Sequence, residues 1–157
     1  MSHALERRML LRGAGVVGVS AVGVAAVPSA ASAHDSEHGG HLLGAWRIRH
    51  TDDPPSGASG LAIVTFAAGG VFATEELPDG TLGLGTWTAD GDGFRVLFVE
   101  SQPGAEGEPG VVVTIRVRGS VRGDHISGTY RLTVRSAADD SVVARGTGTF
   151  RGERLEA

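Results

Sequence analysis

The feature that most constrains the fold of this chain is a succession of short segments in which apolar and polar residues alternate. Alternation with a period of two residues is typical of a β-strand that buries one face. Nowhere after residue 40 does an apolar pattern of helical period last three turns. We therefore predict an all-β domain of eight strands. The expected strands are Leu42–His50, Leu61–Ala67, Val71–Glu76, Thr81–Ala89, Phe94–Ser101, Val111–Val121, His125–Ser136 and Val142–Arg151.

The connections between these segments are short and rich in turn-forming residues. "LPDG", "DGDG", "RGD" and "AADD" separate neighbouring strands, and Gly and Asp tolerate the positive φ of tight turns. The two prolines of "TDDPPSGASG" remove backbone donors, so this whole segment is expected to be an unpaired loop. None of the connections can hold a crossover helix, which favours antiparallel pairing of consecutive strands.

Eight strands in simple succession leave two exposed edges unless the first and last strands pair. We predict that they do, and that the domain is an eight-stranded antiparallel up-and-down (lipocalin-like) barrel. A β-sandwich is the alternative, although its Greek-key connections need longer crossings. A barrel of eight strands encloses either a packed core or room for one small ligand.

The parity of the strands separates inward from outward positions. In the sixth and seventh strands Thr and Arg occupy the outward face, where long Arg side chains keep the wall soluble. In the fifth strand, an inward Phe98 carries Glu100 inward with it. The large side chains expected to line an internal cavity are Trp46, Phe66, Trp87, Phe98 and Tyr130.

The segment "LLGAWRI" at the start of the first strand resembles the opening strand of lipocalins and fatty-acid-binding proteins. In those families a Gly-x-Trp begins the barrel, the Trp closes one end, and an Arg near the last strand packs over its ring. The resemblance assigns these roles to Gly44, Trp46 and Arg154, with Arg151 as second choice for the arginine. It implies a calycin-type barrel that holds a small molecule. The further lipocalin motifs between middle strands do not occur in this sequence.

A second Gly-x-Trp, "GTW" at residues 85–87, repeats the pattern in the fourth strand. The layout "GxW…TF…GG…GxW" is similar to that of small secreted bacterial proteins of unassigned function. Trp87 is expected either to close the other side of the barrel or to line a pocket, with packing in the core as the simpler interpretation.

The first 33 residues resemble a twin-arginine export signal. An Arg pair at positions 7 and 8 precedes two leucines, a Gly- and Ala-rich run follows, and "ASA" at 31–33 fits a signal peptidase site. The run is too short and too rich in Gly to span ~30 Å of hydrocarbon securely. We expect residues 1–33 to be removed, 34–40 to form a flexible leader and 41–157 to form the barrel. The protein should then work outside the cytoplasm, with no stable membrane insertion after cleavage.

Charge restricts the partners. After the expected cleavage, the chain contains eleven arginines and seventeen acidic residues, which gives a formal net charge of −6. An acidic chain is a poor partner for nucleic acid and for anionic membrane surfaces.

The sequence contains no Cys, which excludes disulfides and thiolate metal sites. It has no nucleophile elbow, phosphate loop or dinucleotide fingerprint, so no cofactor is predicted.

Histidines are concentrated in the leader, where they stand near acidic residues. Imidazole binds copper, zinc or nickel, but this segment lacks any apolar pattern, and we interpret it as exposed to solvent. We predict no metal site there. The residues concerned are His34, Asp35, Glu37, His38 and His41.

Three inward polar residues could carry chemistry: His50, Glu100 and Tyr130. Burial would raise the pKa of Glu100 and make it a candidate acid or base. His50 and Glu100 each end a predicted strand, so the simpler interpretation is that both meet solvent at the rim. The acidic pairs at 52–53 and 75–76 are likewise interpreted as solvated.

Three functional hypotheses follow. In the first, an exported protein holds a small apolar molecule inside the barrel. The second is a cofactor-free isomerase or cyclase in which His50, Glu100 and Tyr130 steer an apolar substrate. In the third, a filled barrel binds a protein partner, with the loop Gln102–Gly110 as first candidate. The ligand, the oligomeric state and any catalytic activity stay open. The candidate ligand contacts are Trp46, His50, Phe66, Trp87, Phe98, Glu100 and Tyr130.

Overall fold

A computed structural model describes residues 39–156 and shows a closed antiparallel barrel of eight strands. Each strand pairs with the next, and β1 pairs with β8, so the predicted class and architecture are confirmed. The signal peptide and most of the leader lie outside the described residues. The strands are β1 Gly44–Asp52, β2 Ser59–Ala67, β3 Val71–Leu77, β4 Leu82–Asp90, β5 Gly93–Gln102, β6 Val111–Arg122, β7 His125–Ser136 and β8 Val142–Arg154.

Only β7 has the predicted ends; the other strands differ by one to three residues, and β8 runs to Arg154 rather than to Arg151. β1 begins at Gly44 rather than at Leu42, because Gly40–Leu42 forms a short 3-10 turn that buries the Leu42 side chain. The predicted loop "TDDPPSGASG" is too long at both ends. Thr51 pairs with Ser59 in the β1–β2 ladder, and their hydroxyl oxygens lie 3.0 Å apart. The prolines therefore interrupt pairing only within 53–58.

The β1–β8 ladder closes the barrel along seven residue pairs, from Trp46 opposite Arg154 to Asp52 opposite Gly148. Glycine at 148 makes room for this closure. A Cβ atom there would stand 2.2 Å from the Tyr130 hydroxyl oxygen and 2.4 Å from a β1 carbonyl oxygen. Closure leaves no free sheet edge in the barrel. An open eight-stranded sheet would instead expose unpaired backbone N–H and C=O groups that could pair with another chain.

The interior has two halves along the barrel axis. In the half around Trp46, the Phe66 ring lies edge-on to Phe72, Phe94 and Trp87, with centroids 5.3, 5.4 and 5.6 Å apart. We call this group the aromatic core. The other half has smaller apolar side chains and most of the inward polar ones. Within residues 39–156 the structure contains no helix of the length and apolarity needed to cross a membrane.

Candidate functional site: a polar cluster at one end of the barrel

The end of the barrel at Trp46 is closed. The indole is fully buried and donates its Nε1–H to the carbonyl oxygen of Leu42 at 2.9 Å. The Arg154 guanidinium lies over the ring, 4.2 Å from its centroid, donates to the carbonyl oxygens of Leu43 and His41, and pairs with Asp124. Gly44, at φ +118°, turns the chain under this guanidinium. These residues seal the barrel where the Gly-x-Trp stands.

Trp87 lies at the same end as Trp46, not at the other side of the barrel. Its ring packs on Phe66, and its Nε1–H donates to the carbonyl oxygen of Ala67 at 2.9 Å. The antiparallel register explains this position, because Thr86 pairs with Val71 near the β2–β3 turn. Core packing, the simpler interpretation, describes Trp87. The candidate contacts Phe66 and Trp87 therefore belong to the aromatic core, and Trp46 lies in the same buried cluster. All three stand apart from the inward polar residues.

The opposite end gathers a polar cluster: His50, Asp52, Glu76, Glu100 and Tyr130. His50 Nε2 is 2.9 Å from Glu76 Oε2, and the Tyr130 hydroxyl donates to Asp52 Oδ1 at 2.7 Å. The His50 and Tyr130 rings meet edge to face, 6.1 Å between centroids. Four of these residues come from β1, β3, β5 and β7, and Asp52 is the last residue of β1. Odd-numbered strands all end here, so four loops surround this mouth of the barrel.

The solvated-rim interpretation is wrong for Glu100, whose exposure is only 7%. It is half right for His50 and Glu76, whose side chains are 27% and 25% exposed and are bonded to each other. The same holds for Asp52, which is half-buried and bonded to Tyr130. Asp53 and Glu75 are exposed, as interpreted.

Two glycines make space for the cluster. A Cβ at position 60 would stand 2.4 Å from His50 Nε2, and one at position 83 would stand 2.9 Å from the Glu100 Cγ. Both glycines face the interior from strands that pair with the strands of His50 and Glu100. Side chains at these positions would push the polar groups out, so the glycines are part of the site.

Sequence reasoning missed Glu76, Asp52 and the two glycines as site residues. Parity in β3 would have identified Glu76, because Phe72 and Thr74 at the same parity are both buried. The interpretation of the pair at 75–76 as a solvated unit hid this alternation. Parity in β1 also pointed to Asp52, two residues after His50, but the expected strand ended at His50 and so left Asp52 in the loop. Its bond with Tyr130 joins residues 78 positions apart, and no sequence pattern predicted that bond.

Burial and neighbouring charges shift the protonation of the cluster. The hydrogen bond with Glu76 raises the pKa of His50, although burial opposes the rise. Burial, reinforced by the charge of Glu76, raises the pKa of Glu100 to about 7. Burial and the bond to Asp52 raise the pKa of Tyr130, which stays a hydrogen-bond donor at neutral pH. Glu100 therefore exchanges its proton in the neutral range, beside a histidine that favours its charged form.

Glu100 is the member of the cluster with unused bonding capacity. No hydrogen bond reaches its carboxyl group from any residue between 39 and 156. Apolar side chains lie beside it in the same half of the barrel: Phe98, Val113, Ile115, Leu132 and Val134. A carboxyl group in this setting can accept a hydrogen bond from a bound molecule. In the described part of the chain no set of three or more His or carboxylate side chains is arranged to hold a metal ion.

Fold and site together define a closed antiparallel β-barrel that is sealed at one end and carries a partly buried polar cluster at the other. No protein-family model matches the sequence, and no curated protein is significantly similar to it.

Solved structures that match this chain include EF1p2_mFAP2b and Rv2717c. EF1p2_mFAP2b, solved bound to DFHBI, shares 13% sequence identity and has a TM-score of 0.56; the match covers 77% of this chain and 99% of that one. Rv2717c from M. tuberculosis shares 18% identity over 74% of this chain and 94% of that one, with a TM-score of 0.39. The first similarity establishes a common fold. The second is too low to do so.

Proposed function

We propose that this protein binds a small, largely apolar molecule in the half of the barrel opposite Trp46, with the polar cluster holding the polar group of that molecule. The observation that carries the proposal is Glu100, which is 7% exposed, faces the interior and lacks a hydrogen-bond partner among residues 39–156. No side-chain oxygen or nitrogen that is sealed from solvent lacks a partner in the described part, so the Glu100 carboxyl oxygens keep some access from the mouth of the barrel. A bound molecule can therefore reach them and replace solvent as their partner. A ligand that donates a hydrogen bond, or carries a basic nitrogen, would satisfy them.

The surroundings of Glu100 restrict the ligand. The aromatic core fills the Trp46 end, so the ligand occupies one half of the interior and must be small. Val113, Ile115 and Leu132 supply apolar surface for its body. The polar groups nearest its head are acceptors or a histidine, because the Tyr130 hydroxyl is already bonded to Asp52. That EF1p2_mFAP2b, a barrel of the same fold, was solved with DFHBI supports binding of this kind.

Binding is tested first with the wild-type protein. Native mass spectrometry of protein purified from its own host would detect a retained ligand, and fluorescence titration with apolar dyes that carry an amine would detect an available site. We expect a bound mass or saturable dye uptake. Absence of both would overturn the proposal.

Glu100→Gln tests the assigned contact. Since hydrogen bonds to charged groups contribute about 1.5–3 kcal/mol, we expect dye affinity to fall about tenfold or more at pH 8. Glu75→Gln is the matched control, because Glu75 precedes Glu76 in β3 but is exposed and points outward. Equal affinities for wild type and both variants would contradict the assignment of Glu100 while leaving interior binding to be judged from the wild type.

The isomerase or cyclase alternative stays a hypothesis. His50 and Glu76 are within hydrogen-bond reach of each other, as proton transfer requires, and the charges of both act on Glu100. Tyr130, however, is engaged with Asp52 and is not free to steer a substrate.

We also propose that the protein is exported through the twin-arginine pathway. The support is the Arg pair at 7–8, the apolar run and the small-x-small pattern before His34. Mass spectrometry of the protein recovered outside the cytoplasm should find His34 as its first residue. Replacing both arginines with lysine should retain the protein in the cytoplasm, and unchanged export would contradict this route.

A further inference from the structure

The outer wall of the barrel carries an apolar patch on β3, β4 and β5. Leu82 and Leu84 are 66% and 69% exposed, and Val71, Leu97 and Val99 are all more than 40% exposed. Their register makes them contiguous, because Leu84 pairs with Val99 and Leu97 pairs with Thr86. Contiguous exposed apolar side chains of this kind mark interaction sites more often than scattered ones do.

An arginine cluster adjoins this apolar patch on the same wall. Arg95 stands directly opposite Arg118, and Arg116 stands directly opposite Arg131. Arg116 is also opposite Leu97, so the two features share a boundary. The four arginines line a concavity of about 460 Å³ together with hydroxyls of Thr86, Thr88 and Thr129.

The positive charge of the arginine cluster is not compensated locally. None of the four guanidinium groups forms an ion pair with another residue in the range 39–156. No carboxylate lines their concavity; Asp90 lies in a neighbouring one that Arg95 and Arg118 also border. Like charges directly opposite each other across strands are destabilising, and anions bound from outside would relieve this repulsion.

We propose that this wall docks on the surface of an anionic lipid bilayer, with the apolar patch entering the headgroup region and the arginine cluster contacting lipid phosphates. Attachment of this kind scales with buried apolar area plus attraction to anionic lipids, and the wall supplies both next to each other. A soluble polyanion would leave the apolar patch unused. Single-stranded nucleic acid would lack rings to stack on, since Trp87 and Tyr130 point into the barrel.

The net charge of the chain does not oppose this docking. The described part holds more acidic residues than arginines, but the charged residues that line the concavity are all arginines. Exposed charges more than ~10 Å apart are largely screened at moderate salt. A locally basic wall on an acidic protein would therefore turn this face, rather than another, toward a negative surface.

Co-sedimentation with vesicles tests the proposal. The chain from residue 34 contains the whole closed barrel and omits the basic N-terminal segment, which could itself bind lipid. We expect binding to vesicles of phosphatidylglycerol mixed with phosphatidylcholine at low salt, and weak binding to phosphatidylcholine alone. Circular dichroism and Trp fluorescence would verify that every variant is folded.

Two double variants separate the contributions. Arg116→Gln with Arg131→Gln should lower affinity about fivefold for each arginine removed, and Leu82→Thr with Leu84→Thr should lower it about tenfold. The matched controls lie on β1 and β8, across the barrel. Arg49→Gln with Arg151→Gln removes another opposed arginine pair, and Val143→Thr removes an exposed apolar side chain; both should bind as wild type does.

Four results would overturn the proposal. It fails if the wild-type chain ignores anionic vesicles, or if the controls lose as much affinity as the wall variants. It also fails if the chain binds inorganic polyphosphate but no vesicles, or if a dimer that Leu84→Thr dissociates covers the patch. Dye binding inside the barrel is measured separately, so failure of one proposal does not decide the other.

Discussion

At the scale of the residue, Glu100 is the most unusual group in the described chain. Its side chain continues the inward-facing series of β5, in which Phe94 and Val96 are buried. The charges of Glu76 and His50 act on its carboxyl group. Its raised pKa has a consequence for stability. Below about pH 4 the carboxyl is neutral in both folded and unfolded chains and favours neither.

We predict that Glu100→Gln stabilises the protein at high pH. As pH rises above the ordinary pKa of 4.5, the unfolded chain ionises while the folded chain holds its proton until about pH 7, which favours unfolding. The penalty reaches about 3 kcal/mol above pH 8, since each pKa unit corresponds to about 1.4 kcal/mol. Urea unfolding at pH 4 and pH 8.5 should show a gap between variant and wild type that opens only at pH 8.5. A gap independent of pH would contradict the shift.

His50 responds to pH in the same direction, although for a different reason. Its bond with Glu76 raises its pKa, so the stability it contributes is fully present below the unfolded pKa of about 6.5. That contribution is lost as pH rises through the higher folded pKa. The two groups therefore both weaken the fold as the solution becomes alkaline, and a titration of the imidazole by NMR in Glu76→Gln would separate them.

At the scale of the element, β8 and the turn before β1 depend on one side chain. Arg154 touches the Trp46 ring, two carbonyl oxygens of the N-terminal turn and Asp124. These contacts hold the last strand against the segment that plugs the barrel. Cation–π attraction contributes about 0.5–2 kcal/mol, and each hydrogen bond from a charged donor about 1.5–3 kcal/mol in favourable cases.

We predict that Arg154→Ala lowers the free energy of unfolding by about 2–3 kcal/mol and shifts Trp fluorescence. Arg151→Ala is the control, because Arg151 lies on the same strand but is exposed and faces outward. It should change stability by less than about 0.5 kcal/mol. Equal losses in the two variants would show that the ring contact does not hold the end of β8.

At the scale of the whole molecule, the two halves of the interior differ in packing. In the aromatic core Phe66, Phe72 and Phe94 are 2–4% exposed, and Trp87 is partly buried against them. In the half that holds the polar cluster, Val113, Ile115 and Tyr130 are 7–8% exposed and Leu132 is partly buried. The half that buries the large aromatic rings is therefore distinct from the half proposed to bind the ligand.

Truncation of one apolar side chain in each half measures the difference in packing. Phe66→Ala should lower the free energy of unfolding by about 3–5 kcal/mol, as a buried Phe normally does. Leu132→Ala should lower it by less than about 2 kcal/mol, because the side chain is only half-buried and the cavity it leaves can be reached by water. Chemical denaturation measures both. Losses of similar size would mean that both halves are packed alike and would leave little room for a ligand.

Much of this arrangement was predictable from local pattern. Alternation placed Phe98 and Glu100 inward and Arg116 and Arg131 outward, because successive side chains of a strand point to opposite faces. The Gly-x-Trp resemblance assigned Trp46 and Arg154 to one closure, and the structure brings them together at 4.2 Å. The lengths of the connections indicated that each strand pairs with the next, and the need to remove free edges indicated closure.

The amino-acid sequence by itself determined which side of each strand is buried and which residues turn the chain. Only the tertiary structure decided which inward residues meet. Whether Glu76 bonds to His50, whether Trp87 lies at the end of Trp46, and whether Arg95 faces Arg118 all depend on the stagger between strands around the closed barrel. That stagger is set by the ladder as a whole, because a two-residue slip keeps every face buried as before while changing every partner.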